Sequence, residues 1–414
     1  MRRPSVLFIN RVYPSANGQS GRGASGRVLR DLARSFAREG WQVTVITTGP
    51  KALSERDGAV RVIRVKGLDK PKGAFAYIWV LLKLMIAALK LPRTHMIVTM
   101  TDPPFLVVVG QIISALKKNR HMHWCQDLYP DVFPALGVRM PAFLMNFLKS
   151  RVRSAMRSCD KVIVIGRCMA RHLSFDGFDP KQITVIPNWP DAELMEQPAE
   201  GEAEARAQDL AQNARPHEEQ HKHGPRFRVL YAGNIGRAHP IDTILDAAEI
   251  LNESNPDIEF VFVGDGPRHD VVNAQRARRD LENIRLLPYQ PSNRLRELMS
   301  SGDVHLVSMD EQAAGFIVPV KLYAALAVHR PCILVGPAHS ETAKVIEDFK
   351  AGSVVSQGDA KFLAQDIRLL RENSDKWFAA HEGAKAAAEI FLPKESIKAW
   401  VERAYSVVDQ DLEL

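Results

Sequence analysis

Cysteine is scarce in this chain: Cys125, Cys159, Cys168 and Cys332 are its only four in 414 residues. None forms a CxxC pair or stands with histidines at metal-ligand spacing, so neither a disulfide framework nor a structural metal is expected. A reducing compartment fits that usage. Long apolar runs are also missing. The opening run Val6 to Ile9 is too short for the core of a secretory signal and suits a first β-strand. The longest run, Phe75 to Leu91, sits at the lower limit for a bilayer span and carries Lys83 in its middle. It reads either as a helix packed in the domain with one edge on a membrane, or as a buried helix with snorkelling lysines.

Charge of one sign is short in each half. Residues 1–190 hold 30 Lys/Arg and 11 Asp/Glu, net +19; the rest hold 25 and 37, net −12. Such segregation speaks of partners, and the basic half calls for a membrane surface, a phosphorylated lipid or a nucleic acid. The segment Ala142–Cys159 adds to that: Phe143, Leu144, Phe147, Leu148 and Val152 are apolar, and Lys149, Arg151, Arg153 and Arg157 are basic. A basic amphipathic helix is a membrane-surface candidate.

What the chain does have is a twice-repeated alternation of short apolar strands and amphipathic helices, the pattern of parallel α/β sheets. Strands are expected at Val6–Asn10, Trp41–Thr47, Val60–Val65, Met96–Met100, His121–Cys125, Lys161–Ile165 and Ile183–Ile186. After residues 193–225, rich in Ala, Glu, Gln, Arg and His, the alternation resumes. The expected domains are therefore 1–190 and 227–393, joined by a linker or insertion over 191–226 and followed by a terminal helix, Lys394–Asp409. His217, His221 and His223 fall in the polar tract and are read as solvated.

The chain can be organised around Arg228–His239, RVLYAGNIGRAH. A strand, a glycine turn (Gly233, Asn234, Gly236) and a helix entry bring backbone N–H groups and a positive dipole end together, which suits a phosphate. Arg237 adds a planar donor fork. An earlier loop, Asn17–Gly26, lacks clean GxGxxG spacing, and Thr47-Thr48-Gly49 stands where a nicotinamide dinucleotide site needs an acid, so that cofactor is disfavoured. Gln126-Asp127-Leu128-Tyr129-Pro130 falls at a strand's C-terminal end, where open α/β sheets place ligands.

Six motifs in order resemble glycosyltransferase family 4, of GT-B architecture: Thr101–Pro104, Gln126–Pro130, Ile186–Trp189, Tyr231–His239, Val263–Gly266 and Pro319–Tyr323. The bacterial exopolysaccharide, O-antigen and colanic-acid enzymes are the nearest likeness. The resemblance implies two Rossmann-like domains facing across a cleft, with the C-terminal helix crossing back. It implies transfer of a hexose-type sugar from a nucleotide diphosphate sugar, UDP by preference, to a polyprenyl diphosphate-linked or polysaccharide acceptor. No metal, no cofactor and no nucleic acid is expected, and the implied location is cytoplasmic, peripheral on the inner face of the plasma membrane.

Residue by residue, Arg237 matches the family's phosphate arginine. The lysine common five positions later is Asp242 here, and Lys321 is the replacement cation. Two glutamates eight positions apart in many members are here Phe316 and Ala324, so Glu341 or Glu311 is expected at the ribose. Gly21, Gly23, Gly233, Asn234, Gly236, Gly264, Gly266 and His239 complete the expected donor site, with His239 meeting the sugar or capping the helix. Asp127 is expected to meet the acceptor hydroxyl as general base, or to cap its own turn, with Asp102 a weaker choice. The missing glutamates also leave room for a nucleotide-binding scaffold without catalysis, and the same fold hosts nucleotide-sugar 2-epimerases.

Overall fold

The computed structural model describes residues 3–15, 23–67, 71, 73–195, 227–290 and 292–409. Gly21, the three tract histidines and most of the expected linker lie outside the described residues.

Two α/β domains form. The first sheet holds β1 (Ser5–Ile9), β2 (Gln42–Gly49), β3 (Leu53–Asp57), β4 (Val60–Lys66), β5 (Met96–Thr99), β6 (Arg120–Cys125), β7 (Lys161–Val164) and β8 (Ile183–Val185). Its order is β3-β4-β2-β1-β5-β6-β7-β8, parallel throughout except for the antiparallel β3–β4 hairpin. The second sheet holds β9 (Phe227–Ala232), β10 (Ile258–Val263), β11 (Ile284–Leu287), β12 (Val304–Ser308), β13 (Cys332–Val335) and β14 (Gly352–Val355), all parallel, in the order β11-β10-β9-β12-β13-β14. The central strands are buried on both faces, which is why they read as unbroken apolar runs rather than as alternation. In each sheet the order reverses beside the first strand of the domain, and a crevice opens there at the strands' C-terminal ends.

Helices α1 (Ala24–Arg38), α2 (Gly73–Lys90), α3 (Leu106–Lys117), α4 (Ala142–Arg157) and α5 (Arg167–Phe175) cover the first sheet. Helix α1 follows its sequence pattern: Val28, Leu29, Leu32 and Phe36 are buried, while Arg30 and Arg34 pair with Asp57 on the hairpin. Helix α2 is not wholly buried. Val80, Leu84 and Ala88 form its one buried stripe, at four-residue spacing, and Phe75, Ile78, Trp79, Leu82 and Ile86 form an exposed one. Lys83 does not snorkel freely; its Nζ donates to the Lys66 carbonyl at 2.8 Å and lies 5.5 Å from the Trp79 ring centre.

The chain ends by returning to where it began. Helix Pro393–Val408 lays Trp400, fully buried, on Trp124 of β6 with ring centres 4.8 Å apart, and Tyr405 on Trp41 at 5.1 Å. One hydrophobic core runs from β1 through Trp124, Trp189 and Trp400 into Val307, Leu322 and Leu334 of the second domain. Two helices and the hairpin strand β3 go beyond the sequence reading. Helix Ser374–Ile390 buries Trp377 but otherwise mostly alanines, with Gly383 and His381, so it shows no stripe of large apolar residues. Helix α5 spans nine residues only, and β3 is a mostly exposed, charged edge.

Candidate active site

The loop after β6 carries Asp127 to the crevice. Buried amides fix that loop: Gln126 Nε2 donates to Asn188 Oδ1 at 3.0 Å, and Asn188 Nδ2 donates back to Gln126 Oε1 at 2.7 Å. Two of the six motifs are thus two halves of one reciprocal bond. The Asp127 amide donates to Thr101 Oγ1 at 3.3 Å, but no described residue donates to its carboxylate. Desolvation, with the neighbouring Asp102 charge, pushes the Asp127 pKa up to about 7. Asp102 is already committed: Arg11 grips it with both arms of its guanidinium, at 2.7 and 2.9 Å. Of the two carboxylates, Asp127 is the one left available.

The turn Gly233–His239 faces it. A cleft of about 400 Å³ is lined on one side by Asp127, Tyr129, Val132, Leu136 and Val138, and on the other by Asn234, Gly236, Arg237, Ala238, His239 and Pro267, with Ile317 between. Arg237 is exposed in that cleft and makes no ion pair or hydrogen bond with a described residue. The turn is pinned through some of its amides, Gly233 to the Val263 carbonyl and Ile235 to the Asp265 carbonyl, at 2.8 and 2.9 Å. The amides of Asn234, Gly236, Arg237 and Ala238 donate to no described residue. Four N–H groups without a described acceptor and one exposed guanidinium thus fall on a single turn, an arrangement that suits an anion.

Lys321 lies beneath the turn. Its Nζ donates to the Asn234 carbonyl at 2.8 Å and sits 3.7 Å from the Tyr231 ring centre, and desolvation pulls its pKa down. His239 Nδ1 donates to the Ser308 carbonyl at 2.5 Å, which fixes the tautomer with Nε2 as an acceptor. Burial and the Lys321 charge lower its pKa to about 4, so the ring is neutral at pH 7. Gly264 and Gly266 do not line the cleft. Their φ values are +134° and +143°; a Cβ on Gly264 would strike the Gly233 carbonyl, and one on Gly266 would come within 2.5 Å of Asn234 Oδ1. They let the loop after β10 press against the turn. Gly23 caps α1 from outside the cleft lining.

Glu341 is a correction. It sits at the start of helix Glu341–Phe349, but its carboxylate reaches into the first domain instead of the cleft. Oε2 accepts from the Arg167 amide at 2.5 Å and the Cys168 amide at 3.3 Å, and Oε1 accepts from Arg167 Nε at 2.8 Å. It caps α5, satisfying orphan amides at that helix start, and Arg167 also meets Asp348 at 2.8 Å. Gly166 makes room for it, since a Cβ there would lie 3.0 Å from Glu341 Cγ. Glu311 is exposed on a short turn and does not line the cleft either.

The two glutamate positions of the family are apolar for a visible reason. Phe316 lies against the His172 ring at 4.8 Å, edge to face, and its carbonyl accepts from the Leu128 amide at 2.8 Å, beside Asp127. Ala324 is half-buried against the apolar cluster that includes Leu230, Val261 and Ala327. The apolar cleft wall of Val132, Leu136, Val138 and Ile317 had no sequence signal, because it comes from irregular loops with no periodicity to read.

Residues 23–189 match the model of a glycosyl transferase 4-like domain, and residues 213–387 match that of glycosyl transferases group 1. This chain is a GT-B glycosyltransferase of family 4. Curated relatives agree: a colanic acid biosynthesis glycosyl transferase of Escherichia coli, WcaI, is 28% identical over 58% of this chain and 56% of its own length. A Pseudomonas aeruginosa glycosyltransferase, WbjE, is 23% identical over 66% of each chain. The matched region thus spans under two thirds of either relative. Among solved structures, Anabaena HepE in complex with UDP-glucose superposes with a TM-score of 0.68 at 18% identity, over 97% of this chain and 99% of that one. WaaG, a glycosyltransferase of lipopolysaccharide biosynthesis, gives 0.66 at 16%, over 95% and 99%. At those identities the likeness is one of fold.

Proposed function

We infer that this family-4 protein transfers a hexose-type sugar from a nucleotide diphosphate sugar, UDP by preference, to a lipid-linked precursor of a cell-surface polysaccharide. One observation carries the reading: Arg237, on a turn with four amides that have no described acceptor, lines a single cleft with the unpartnered Asp127 carboxylate. HepE, crystallised with UDP-glucose, shows what a protein of this fold can hold and supports UDP as the nucleotide.

In the proposed reaction the acceptor hydroxyl attacks the anomeric carbon and gives its proton to Asp127. The bond from that carbon to the diphosphate breaks, and the diphosphate leaves with the electron pair. Negative charge therefore grows at the diphosphate during the step, and groups already aimed at that place lower the barrier without reorganising. Arg237 and the open amides fill that role, in place of a metal ion. Lys321 backs the turn from beneath, and an arriving diphosphate raises its proton affinity and so its charge. His239 Nε2 accepts from a sugar hydroxyl. Asp127, with a pKa near 7, is a base matched to neutral pH. The protein works at the inner face of the plasma membrane, where a polyprenyl diphosphate acceptor is held.

The test is a thermal-stabilisation screen of nucleotide diphosphate sugars against the purified chain, followed by transfer to lipid acceptors in a membrane extract. A UDP-sugar that stabilises the chain and is consumed only when acceptor lipid is present meets the expectation. Stabilisation by no nucleotide sugar refutes it.

A further inference from the structure

Helices α2, α3 and α4 lie side by side on one face of the first sheet, with α3 in contact with both others. Together they contain seven Lys/Arg and no Asp/Glu. The same three helices leave large apolar side chains in solvent: Phe75 is 89% exposed, Trp79 60%, Phe143 76% and Phe147 59%. Trp79 is braced by Lys83, whose ammonium is itself tied to the backbone of β4. Lys149 and Arg153 are already paired with Asp131, and Arg153 also with Asp176, whereas Lys90 and Arg151 are exposed and form no ion pair with a described residue. Exposed aromatics beside such cations suit a partner that is apolar within and anionic at its surface.

The direction of the chain adds the decisive constraint. Each of these helices follows a strand of the parallel sheet, so its first turns lie at the strands' C-terminal edge, where the cleft opens. Phe75 and Trp79 start α2, and Phe143 and Phe147 start α4. Tyr77, between the first pair, lies close enough to Tyr129 of the cleft to add to the rise that burial imposes on the Tyr129 phenol. The aromatic end of the platform and the acceptor side of the cleft are therefore one rim.

We propose that this face docks on an anionic phospholipid bilayer, with the aromatic ends of α2 and α4 inserted at the headgroup level, so that the Asp127 side of the cleft opens onto the lipid surface. Helix α2 lies in the interface and does not cross it, because Val80, Leu84 and Ala88 are core residues against the sheet. Basic residues further along, among them Lys90 and Arg151, meet the headgroups. The delivery of acceptor through this rim rests on the lipid-linked acceptor proposed above; the docking does not.

Flotation of the full chain with vesicles tests the docking without any sugar. Equal parts phosphatidylglycerol and phosphatidylcholine should carry the protein, and phosphatidylcholine alone should carry little of it. Salt should release it. Brominated lipid should quench the fluorescence of the wild type more than that of Trp79→Phe. Phe75→Ser with Phe143→Ser should weaken partition by about a hundredfold and leave the melting temperature unchanged, since both side chains are exposed. Transfer to a lipid acceptor in vesicles should fall in that variant, while transfer to a water-soluble analogue should not. Failure to bind anionic vesicles, equal binding to neutral ones, or a concentration-dependent dimer that the double variant abolishes would each overturn the proposal.

Discussion

Asp127 is a carboxylate with no described hydrogen-bond donor, next to the Asp102 charge. Its pKa moves from 3.8 to about 7. Between those values the folded state holds a proton that the unfolded state gives up, so stability falls as pH rises through that window, and the whole cost is present above pH 7. At 1.36 kcal/mol per pH unit the ceiling is about 4 kcal/mol. Asp127 is only partly buried, and water at the cleft mouth screens it, so about 1–2 kcal/mol is expected. Asp127→Asn removes the charge and keeps the shape. The variant should therefore be more stable than the wild type at pH 8 by that amount and equal to it near pH 4. Paired urea titrations at the two pH values read the difference directly. Equal midpoints for the two proteins at pH 8 would refute the account of Asp127 as a desolvated, unpartnered carboxylate, and with it the case for a base poised at neutral pH.

Four further outcomes follow from the same geometry. Transfer measured as kcat/KM should decline below pH 7 with an apparent pKa near 7, and a flat profile from pH 5 to 8 would remove Asp127 from the proton transfer. Arg237→Ala should weaken donor binding by roughly 2–4 kcal/mol, read by calorimetry with UDP, while the melting temperature of the free protein stays put, because Arg237 bonds to no described residue. Glu341→Ala should destabilise the fold by about 1–3 kcal/mol, since it strands the Arg167 and Cys168 amides and leaves Arg167 with Asp348 alone; an unchanged urea midpoint would show that the interdomain cap is not formed in solution. Gly266→Ala should cost about 2 kcal/mol or more, through positive φ and collision with the Asn234–Ile235 backbone, and should lower donor affinity by displacing the turn.

The fold was legible where the sequence is periodic and long. The buried strands and the glycine turn after β9 stand where Val229–Ala232 and Gly233–Gly236 place them, and the six motifs fall in the order that GT-B topology requires. The helix Ser374–Ile390 was not legible, because alanine against Trp377 packs well without leaving a stripe of large residues. Within the site, side-chain type pointed to Arg237 and Asp127, and both line one cleft. Glu341 misled for a physical reason: a glutamate at a helix start looks the same in sequence whether its carboxylate serves a ligand or another helix. Only the position of α5, brought across from residue 167, distinguishes the two. Gly264 and Gly266 show the converse. Glycine beside a phosphate turn suggested contact with the ligand, and their crowding against Gly233 and Asn234 makes them spacers between protein loops.

The stacking of Trp400 on Trp124 has a consequence for the birth of the molecule. The first domain cannot complete its interior until the last helix arrives, and that helix is made roughly 200 residues after β8 has left the ribosome. At about 5–20 residues per second, the nascent amino-terminal half waits on the order of 10–40 seconds with its Trp124 surface unsealed. A message cut short before Trp400 would then yield a chain that holds most of its strands and lacks the lid to its own core, a natural client for chaperones and proteases.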